Sequence, residues 1–304
     1  MNRPTPTSDT GRNPVGFGPD QLVAIDFHTH VLASVRDEIP KASESSTALA
    51  EYFGTDVSLP TVRDLAAYYN DLQMMCVVFS VDSTSATGNP NRVSNDEICE
   101  VAAEFPRTVI PFGSVDPHAG KFAAREVARL AAAYPIKGFK FHPNSQAFHP
   151  NDPAVYPIYE AIQEAGLIAL FHSGHTGVGA GRRGGNGIRL KFSNPMAVDD
   201  VAVDFPDLKI VLAHPSFPWQ DEAISVALHK PNVYIDLSGW SPKYFPPNLI
   251  QYARTLLKKK VLFGTDFPVI TPAKWIEEFS KLGLDAEVTQ LIMKHNAWQL
   301  LELG

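Results

Sequence analysis

The chain has 304 residues and is 44% hydrophobic, enough for one large core, and barrel domains of about 250 residues commonly fold as single units. Its formal net charge of −7 leaves no excess of Lys and Arg, which argues against a nucleic acid or a membrane surface as partner. The two cysteines, Cys76 and Cys99, lack a metal-binding spacing, which argues against a disulfide scaffold or a thiolate zinc site and favours a cytoplasmic location. We therefore expect a small-molecule partner.

The N-terminal end differs in composition from the rest of the chain. Residues 1–20 are rich in Pro, Thr, Asn and Gly, which predicts a flexible arm ahead of one domain over residues 21–304. An arm that packs on a neighbouring subunit would have the same composition. No apolar core of a signal peptide is visible there, and no apolar run reaches the roughly 18 residues that a membrane span needs. We expect neither export nor membrane insertion.

Eight short runs rich in Val, Ile and Phe predict β-strands. In chain order they are VAIDFHTH (23–30), MCVVFSVD (75–82), VIPFGSVDP (109–117), IKGFKFHP (136–143), LIALFHSG (167–174), KIVLAHP (209–215), VYIDLSG (233–239) and VLFGTDFP (261–268). Helical patterns with start signals lie between them: Ser94 with Glu97 predicts a capping box, and prolines follow Asp152, Asn194 and Thr271. The alternation of eight strands with helices is typical of an α/β fold, the (β/α)₈ TIM barrel.

Two connections are unusually long. The first, of about 45 residues after strand one, contains one clear helical pattern, VRDLAAYYNDL, and predicts an insertion on the substrate side. The second, after strand five, has six glycines between Gly177 and Gly187, so we expect no regular structure there. A mobile lid whose Arg182 and Arg183 meet an anionic substrate is one interpretation, and a solvated loop is the other.

The first strand ends in a His-x-His pair. Strand alternation predicts His28 and His30 on one face with Asp26, and Phe27 and Thr29 on the other. Two imidazoles that share a face can share a metal ion, although an isolated pair of this kind is more often hydrogen-bonded to its neighbours.

The ends of the other strands add to this pair. Active sites of such barrels lie at the carboxyl ends of the strands. Those ends carry five of the ten histidines together with a lysine and two acids: Asp26, His28, His30, Lys140, His142, His172, His214 and Asp266. Imidazoles completed by one carboxylate suit a divalent metal, with Zn²⁺ expected first and Mn²⁺ or Fe²⁺ as alternatives. A core of hydrogen-bonded histidines is the competing interpretation, but it would put polar layers where branched apolar residues normally pack.

The order of these residues resembles the amidohydrolase superfamily. GFKFHP, LFHSGH, IVLAHP and LFGTDFP are similar to its amidohydrolase-related branch, which includes aminocarboxymuconate-semialdehyde decarboxylase and the resorcylate-type decarboxylases. The resemblance extends from about Ala24 to the C-terminus, and the retained His28 is closer to the aminocarboxymuconate type. It implies that one divalent metal is bound by His28, His30, His172 and Asp266, and that His214 and Asp266 are the catalytic acid–base residues.

Lys140 has two interpretations. In two-metal members of the superfamily a lysine on strand four is carboxylated and bridges the ions, whereas in the single-metal branch it would be a positive group in the pocket. We favour one metal ion. Further expected substrate contacts are His142, Arg92, His175, Arg182 and Trp240. Surface cations are the other interpretation of the arginines. Trp219, Trp240 and Tyr244 are expected as walls for an aromatic ring, with packing between helices and barrel as the alternative.

The same parts are compatible with several functions. We favour non-oxidative decarboxylation of a small carboxylated aromatic or unsaturated substrate. Hydrolysis of a lactone or an amide is the alternative, and a non-catalytic metal-binding barrel is an alternative of another class. His214 counts against the last, because metal storage needs no spare base. The helical C-terminus is compatible with a homodimer.

Overall fold

The computed structural model describes residues 18–37, 44–54, 56–91 and 93–304. Residues 1–17 of the predicted arm and Arg92, a predicted substrate contact, lie outside the described residues. The last part of the predicted arm enters a short 3₁₀ turn at Pro19–Gln21.

Eight parallel strands form one sheet in which each strand pairs with the next along the chain. They are β1 Ile25–His30, β2 Met75–Phe79, β3 Val109–Gly113, β4 Gly138–Phe141, β5 Ile168–His172, β6 Lys209–Ala213, β7 Val233–Asp236 and β8 Val261–Leu262. The segment after β8 closes the barrel on β1, since Phe27 N donates to Phe263 O (2.9 Å) and Asp266 N donates to His28 O (2.9 Å). The predicted strands and the TIM barrel are confirmed.

Helices alternate with these strands. They are α1 Glu44–Phe53, α2 Val62–Asp71, α3 Thr84–Thr87, α4 Asn95–Glu104, α5 Lys121–Ala133, α6 Pro143–Gln146, α7 Tyr156–Glu164, α8 Met196–Asp204, α9 Gln220–His229, α10 Pro247–Arg254, α11 Pro272–Ser280, α12 Ala286–Gln290 and α13 Asn296–Leu300, with a π turn at Leu291–His295 between the last two. The insertion after β1 thus holds α1 in addition to the expected α2. None of the described helices combines the length and apolar character needed to cross a bilayer.

The cap of α4 differs from the sequence prediction. Ser94 Oγ accepts from Glu97 N (3.2 Å), but the Glu97 carboxylate does not return to Ser94. It accepts instead from Ser34 Oγ (2.6 Å) and Val35 N (2.9 Å), residues that follow β1. The expected reciprocal capping box was wrong because these tertiary donors take the carboxylate.

The core has two layers. Inside the barrel, Phe27 of β1 packs edge-on against Phe112 of β3, with ring centroids 5.8 Å apart. Outside it, large side chains such as Tyr69, Tyr159 and Trp275 fill the space between sheet and helices. The apolar interior holds the strands rigidly, so their carboxyl ends form a fixed frame for polar side chains.

The register of β1 against β2 shifts between Asp26 and Thr29, which marks a bulge. Strict alternation is broken there, so the predicted shared face for Asp26 and the two histidines was wrong. Asp26 lies on the outer side of the wall, where its Oδ2 accepts from Tyr69 Oη of α2 (2.6 Å). His28 and His30 follow the bulge and point into the mouth of the barrel.

Candidate metal and catalytic site

Three predicted ligands converge at the end of β1 and the segment after β8. Donor atoms of His28, His30 and Asp266 lie within 4.8 Å of one another. Asp266 Oδ1 is 3.0 Å from His30 Nε2 and 3.3 Å from His28 Nε2. The backbone of Asp266 is left-handed (φ 66°), a costly conformation for a non-glycine residue that is typical of functional sites. Burial opposes ionisation of Asp266, yet His30, His28 and His214 together hold the pKa of its carboxyl well below its usual range.

The other nitrogen of His28 meets a residue that the sequence reasoning missed. His28 Nδ1 is 3.0 Å from Oδ2 of Asp236, the last residue of β7, and both side chains are completely buried. Burial and the neighbouring Lys140 lower the pKa of His28 well below its ordinary value, so His28 is a neutral imidazole. The signal was in VYIDLSG, where an acid ends an otherwise apolar strand, but the strand lacks a histidine to draw attention to it.

His172, the predicted fourth ligand, lies next to His214, the predicted acid–base residue. His214 Nε2 is 2.9 Å from His172 Nδ1, and the His214 ring is 4.9 Å from the His28 ring between centroids. His172 Nε2 is buried and has no hydrogen-bond partner among the described residues. His172 is not in the three-residue donor set; it joins the site through His214.

Ser238 holds the His214 ring at Nδ1, the nitrogen that faces away from His172. Nδ1 lies 3.0 Å from Ser238 O and 2.9 Å from Ser238 Oγ. A Cβ at Gly239, whose φ is 72°, would lie 2.5 Å from Nδ1, so only glycine fits there. Burial lowers the pKa of His214, while the carboxylates of Asp266 and Asp236 act in the opposite direction.

Lys140 lies beside the predicted metal ligands. Its side chain is fully buried, with Nζ 3.2 Å from His28 Nε2 and 5.1 Å from the centroid of the Phe79 ring. Burial lowers the pKa of Lys140 to about 8, against the pull of Asp236 and Asp266. The site thus contains a cation at close range to the predicted metal ligands.

The remaining predicted contacts are farther out. His142 stacks on His172 at 3.9 Å between ring centroids, so it supports that ring. His175 Nε2 is 3.3 Å from Tyr52 Oη, and Arg182 forms an ion pair with Glu51 at 2.7 Å. Glu51 and Tyr52 both lie on α1. These contacts tie the loop after β5 to the insertion after β1.

The predicted aromatic walls are dispersed. The half-buried Trp240 lies 5.5 Å from Phe217 between ring centroids, and Trp219 immediately precedes α9. Tyr244 is 64% exposed and lies under Lys243 Nζ. Tyr244 therefore contacts solvent and a surface lysine rather than enclosing a ring.

The glycine-rich loop turns tightly without forming a regular helix. Within Arg183–Gly187, Gly184, Gly185 and Asn186 have φ between 50° and 59°, a left-handed run that glycine permits. A 3₁₀ turn follows the glycines at Leu190–Ser193.

The donor set fits a divalent cation. Asp266 Oδ1 lies 3.0 Å from His30 Nε2 and 3.3 Å from His28 Nε2. A ring N–H can donate to the carboxylate at such distances, and a divalent ion would bind in place of that proton. His172 Nε2 is a further buried nitrogen that could bind a metal ion, and it has no hydrogen-bond partner among the described residues. Imidazole and carboxylate are the ligands that Zn²⁺ prefers, and Mn²⁺ and Fe²⁺ also accept them.

An eight-stranded parallel barrel with imidazoles and a carboxylate clustered at the carboxyl ends of its strands is typical of the class of metal-dependent barrel enzymes. The chain belongs to the amidohydrolase family, whose sequence model matches residues 25–303. A curated relative, protein fluG of Emericella nidulans, is 40% identical over 68 residues, which are 22% of this chain and 7% of that protein.

Solved structures are similar over almost the whole chain. A TIM-barrel protein of Bordetella bronchiseptica is 23% identical with a TM-score of 0.70, covering 92% of this chain and 98% of that one. The 5-carboxyvanillate decarboxylase of Novosphingobium aromaticivorans, solved with manganese and a nitrobenzoic acid, is 15% identical with a TM-score of 0.65, covering 96% and 100%. A probable 2-pyrone-4,6-dicarboxylic acid hydrolase of Acinetobacter baumannii is 15% identical with a TM-score of 0.59, covering 92% and 99%. At these identities the likeness establishes the fold.

Proposed function

We propose that this protein is a metal-dependent carboxy-lyase that removes CO₂ from a small carboxylated aromatic or unsaturated acid. The observation that carries the proposal is the fully buried Lys140 beside the predicted ligands, since a buried cation is stabilised by an anionic substrate. The similarity to a 5-carboxyvanillate decarboxylase supports the same reaction class.

One divalent ion is proposed for this site, held by His28, His30, His172 and Asp266. When bound, the ion supplies positive charge that stabilises a substrate oxygen as negative charge develops on it. Zn²⁺ stays the expected ion from the donor set, and Mn²⁺ is supported by the metal in the decarboxylase neighbour.

The side chains of the chain would perform the remaining steps. The Lys140 ammonium orients the anionic substrate. With substrate bound, His214 would take up a proton from solvent on Nε2 and deliver it to the carbon that bears the carboxylate. The carbon–carbon bond then breaks, its electron pair returns to the substrate, CO₂ leaves, and His214 is neutral again.

Lactone hydrolysis is the second candidate function, favoured by the similarity to a probable 2-pyrone-4,6-dicarboxylic acid hydrolase. The same His214 or Asp266 would then accept a proton from the attacking water. A homodimer and a cytoplasmic location stay predictions from the sequence.

The two reactions leave different products. Protein loaded with Mn²⁺ or Zn²⁺ is incubated in D₂O with hydroxybenzoic acids and with pyrone or lactone acids. We expect CO₂ release and one deuterium at the carbon that lost the carboxylate. Lactone opening with CO₂ from none of the panel would exclude the carboxy-lyase.

The control variant for this assay is His214→Asn. We expect it to lose at least about 10²-fold in turnover, the usual contribution of a positioned acid–base group, and to keep its metal by elemental analysis. Loss of metal would make His214 a ligand, and retention of both metal and turnover would remove its acid–base role. A metal-loaded wild type that turns over no member of either panel would favour the non-catalytic barrel.

A further inference from the structure

Asp236 is a buried carboxylate at the end of β7 whose two oxygens have separate partners. Oδ1 accepts from Ser238 N (2.9 Å) and from Ser238 Oγ, and more weakly from His214 N (3.4 Å). Oδ2 lies 3.0 Å from His28 Nδ1. The carboxylate is thus fixed by one loop and presents its second oxygen to a predicted metal ligand.

The donors and acceptors around His28 determine which of its ring nitrogens carries the proton. A backbone N–H only donates, so Ser238 N determines which oxygen faces the loop. An ionised carboxylate only accepts, so the Nδ1 that faces Oδ2 carries the ring proton. The other ring nitrogen, Nε2, is 3.2 Å from Lys140 Nζ, and an ammonium only donates, so the lone pair of His28 lies on Nε2.

The same accounting extends to the neighbouring rings. Ser238 O only accepts, so His214 Nδ1 donates to it and His214 Nε2 carries a lone pair. That lone pair accepts from His172 Nδ1 (2.9 Å), which leaves the lone pair of His172 on the buried, unpartnered Nε2. The three rings therefore have one self-consistent pattern of protons.

We propose that Asp236 is a positioning residue that holds His28 in its Nδ1–H tautomer and so keeps Nε2 available to a divalent ion. The inference rests on the metal site proposed above. Asp236 also forms a possible donor set with His28 and His214, but both of its oxygens already accept hydrogen bonds. We therefore assign it as an acceptor behind the ligand and not as a ligand itself.

The variant Asp236→Asn tests this assignment without changing the side-chain shape. Ser238 N retains the amide oxygen, so the amide NH₂ must face His28 Nδ1 and the ring must move its proton to Nε2. The metal-free protein, labelled with ¹⁵N in its histidine rings, should show this change for His28, with signals assigned through a His28→Gln variant. We expect the Kd for Mn²⁺ or Zn²⁺, measured by chelator competition, to weaken about 10- to 100-fold.

The matched control is Ser238→Ala, which keeps the carboxylate and the backbone N–H of the same network. It should leave His28 in the Nδ1–H form and the metal Kd unchanged. Wild-type His28 observed as Nε2–H overturns the proposal, even if Asp236→Asn does not fold. The proposal is also overturned if Asp236→Asn leaves the His28 tautomer and the metal Kd unchanged. It is overturned too if Asp236→Asn reduces the bound metal from two ions to one, because Asp236 would then be a metal ligand.

The ring spectra of the metal-free protein do not depend on the reaction. An Nδ1–H His28 together with no CO₂ release would therefore remove the proposed reaction and leave the positioning role intact.

Discussion

The electrostatic centre of the site is one amine. Lys140 is fully buried, and its Nζ is 3.2 Å from His28 Nε2. Burial lowers its pKa to about 8, so the amine is mostly charged at neutral pH. A charge enclosed in this way favours ligands that bring a negative group. The same amine is also the group that a two-metal centre would need in carboxylated form.

The variant Lys140→Met separates these two roles. With one metal ion, the bound metal should stay at one per chain, because Lys140 is not a ligand. Binding of a carboxylated substrate should weaken at least about 10-fold, since a buried charge pair is lost. Elemental analysis and the KM for an anionic substrate are the measurements. A fall from two ions to one would instead identify a bridging, carboxylated Lys140.

Among the elements, β1 and the segment after β8 form the walls of the site, and Asp26 joins them. Its carboxylate accepts from His28 N (3.1 Å), Thr265 N (2.9 Å) and Thr265 Oγ1 (2.5 Å), and from Tyr69 Oη (2.6 Å) of α2. Thr265 directly precedes Asp266. One buried side chain thus links the backbone of the His-x-His pair to that of the acidic ligand.

Replacing Asp26 by Asn would set an amide NH₂ against donors and leave buried groups unpaired. We expect Asp26→Asn to lower the free energy of unfolding by about 2–3 kcal/mol. Tyr69→Phe removes one donor only and should cost about 1 kcal/mol. Urea titrations of both variants with wild type are the check. Equal stability of Asp26→Asn and wild type would show that the four contacts do not hold these walls.

Lys260, just before β8, gives the connection to α9 a pH dependence. Its Nζ donates to Ala227 O (2.6 Å) and to Lys230 O, and burial lowers its pKa from 10.5 to about 8. Between these two pH values the unfolded chain holds a proton that the folded chain has lost, so stability rises with pH. Below pH 8 both states are protonated and the contribution is constant.

We therefore expect wild type to gain stability relative to Lys260→Met as the pH rises from 7 to about 9.5. The measurement is the difference between their free energies of unfolding in urea at each pH. A difference that does not change with pH would mean that Lys260 has its ordinary pKa in the folded protein.

For the whole molecule, the proposed ion site is built from side chains at opposite ends of the chain. His28 and Asp266 are 238 positions apart, yet Asp266 Oδ1 lies 3.3 Å from His28 Nε2. The site exists only in the folded protein, so the free energy of ion binding would add to the stability of the fold.

Removal of metal by a chelator should consequently lower the Tm, and Zn²⁺ or Mn²⁺ should restore it. At a free ion concentration 1,000 times the Kd, the expected gain is about 4 kcal/mol. Differential scanning calorimetry of wild type and of His30→Ala, which lacks one proposed ligand, is the measurement. A wild-type Tm that responds to added ion no more than that of His30→Ala would contradict binding at these residues.

The sequence by itself was sufficient for the eight strands, for the barrel, and for the gathering of His28, His30 and Asp266. Apolar runs reveal buried parallel strands, and the carboxyl ends of such strands must meet at one mouth. Only the tertiary structure decided that Asp26 turns outward at a bulge, that Glu97 leaves its predicted cap, and that Asp236 enters the site. Each of these depends on hydrogen bonds between residues far apart in the chain, and local periodicity contains no information about such partners.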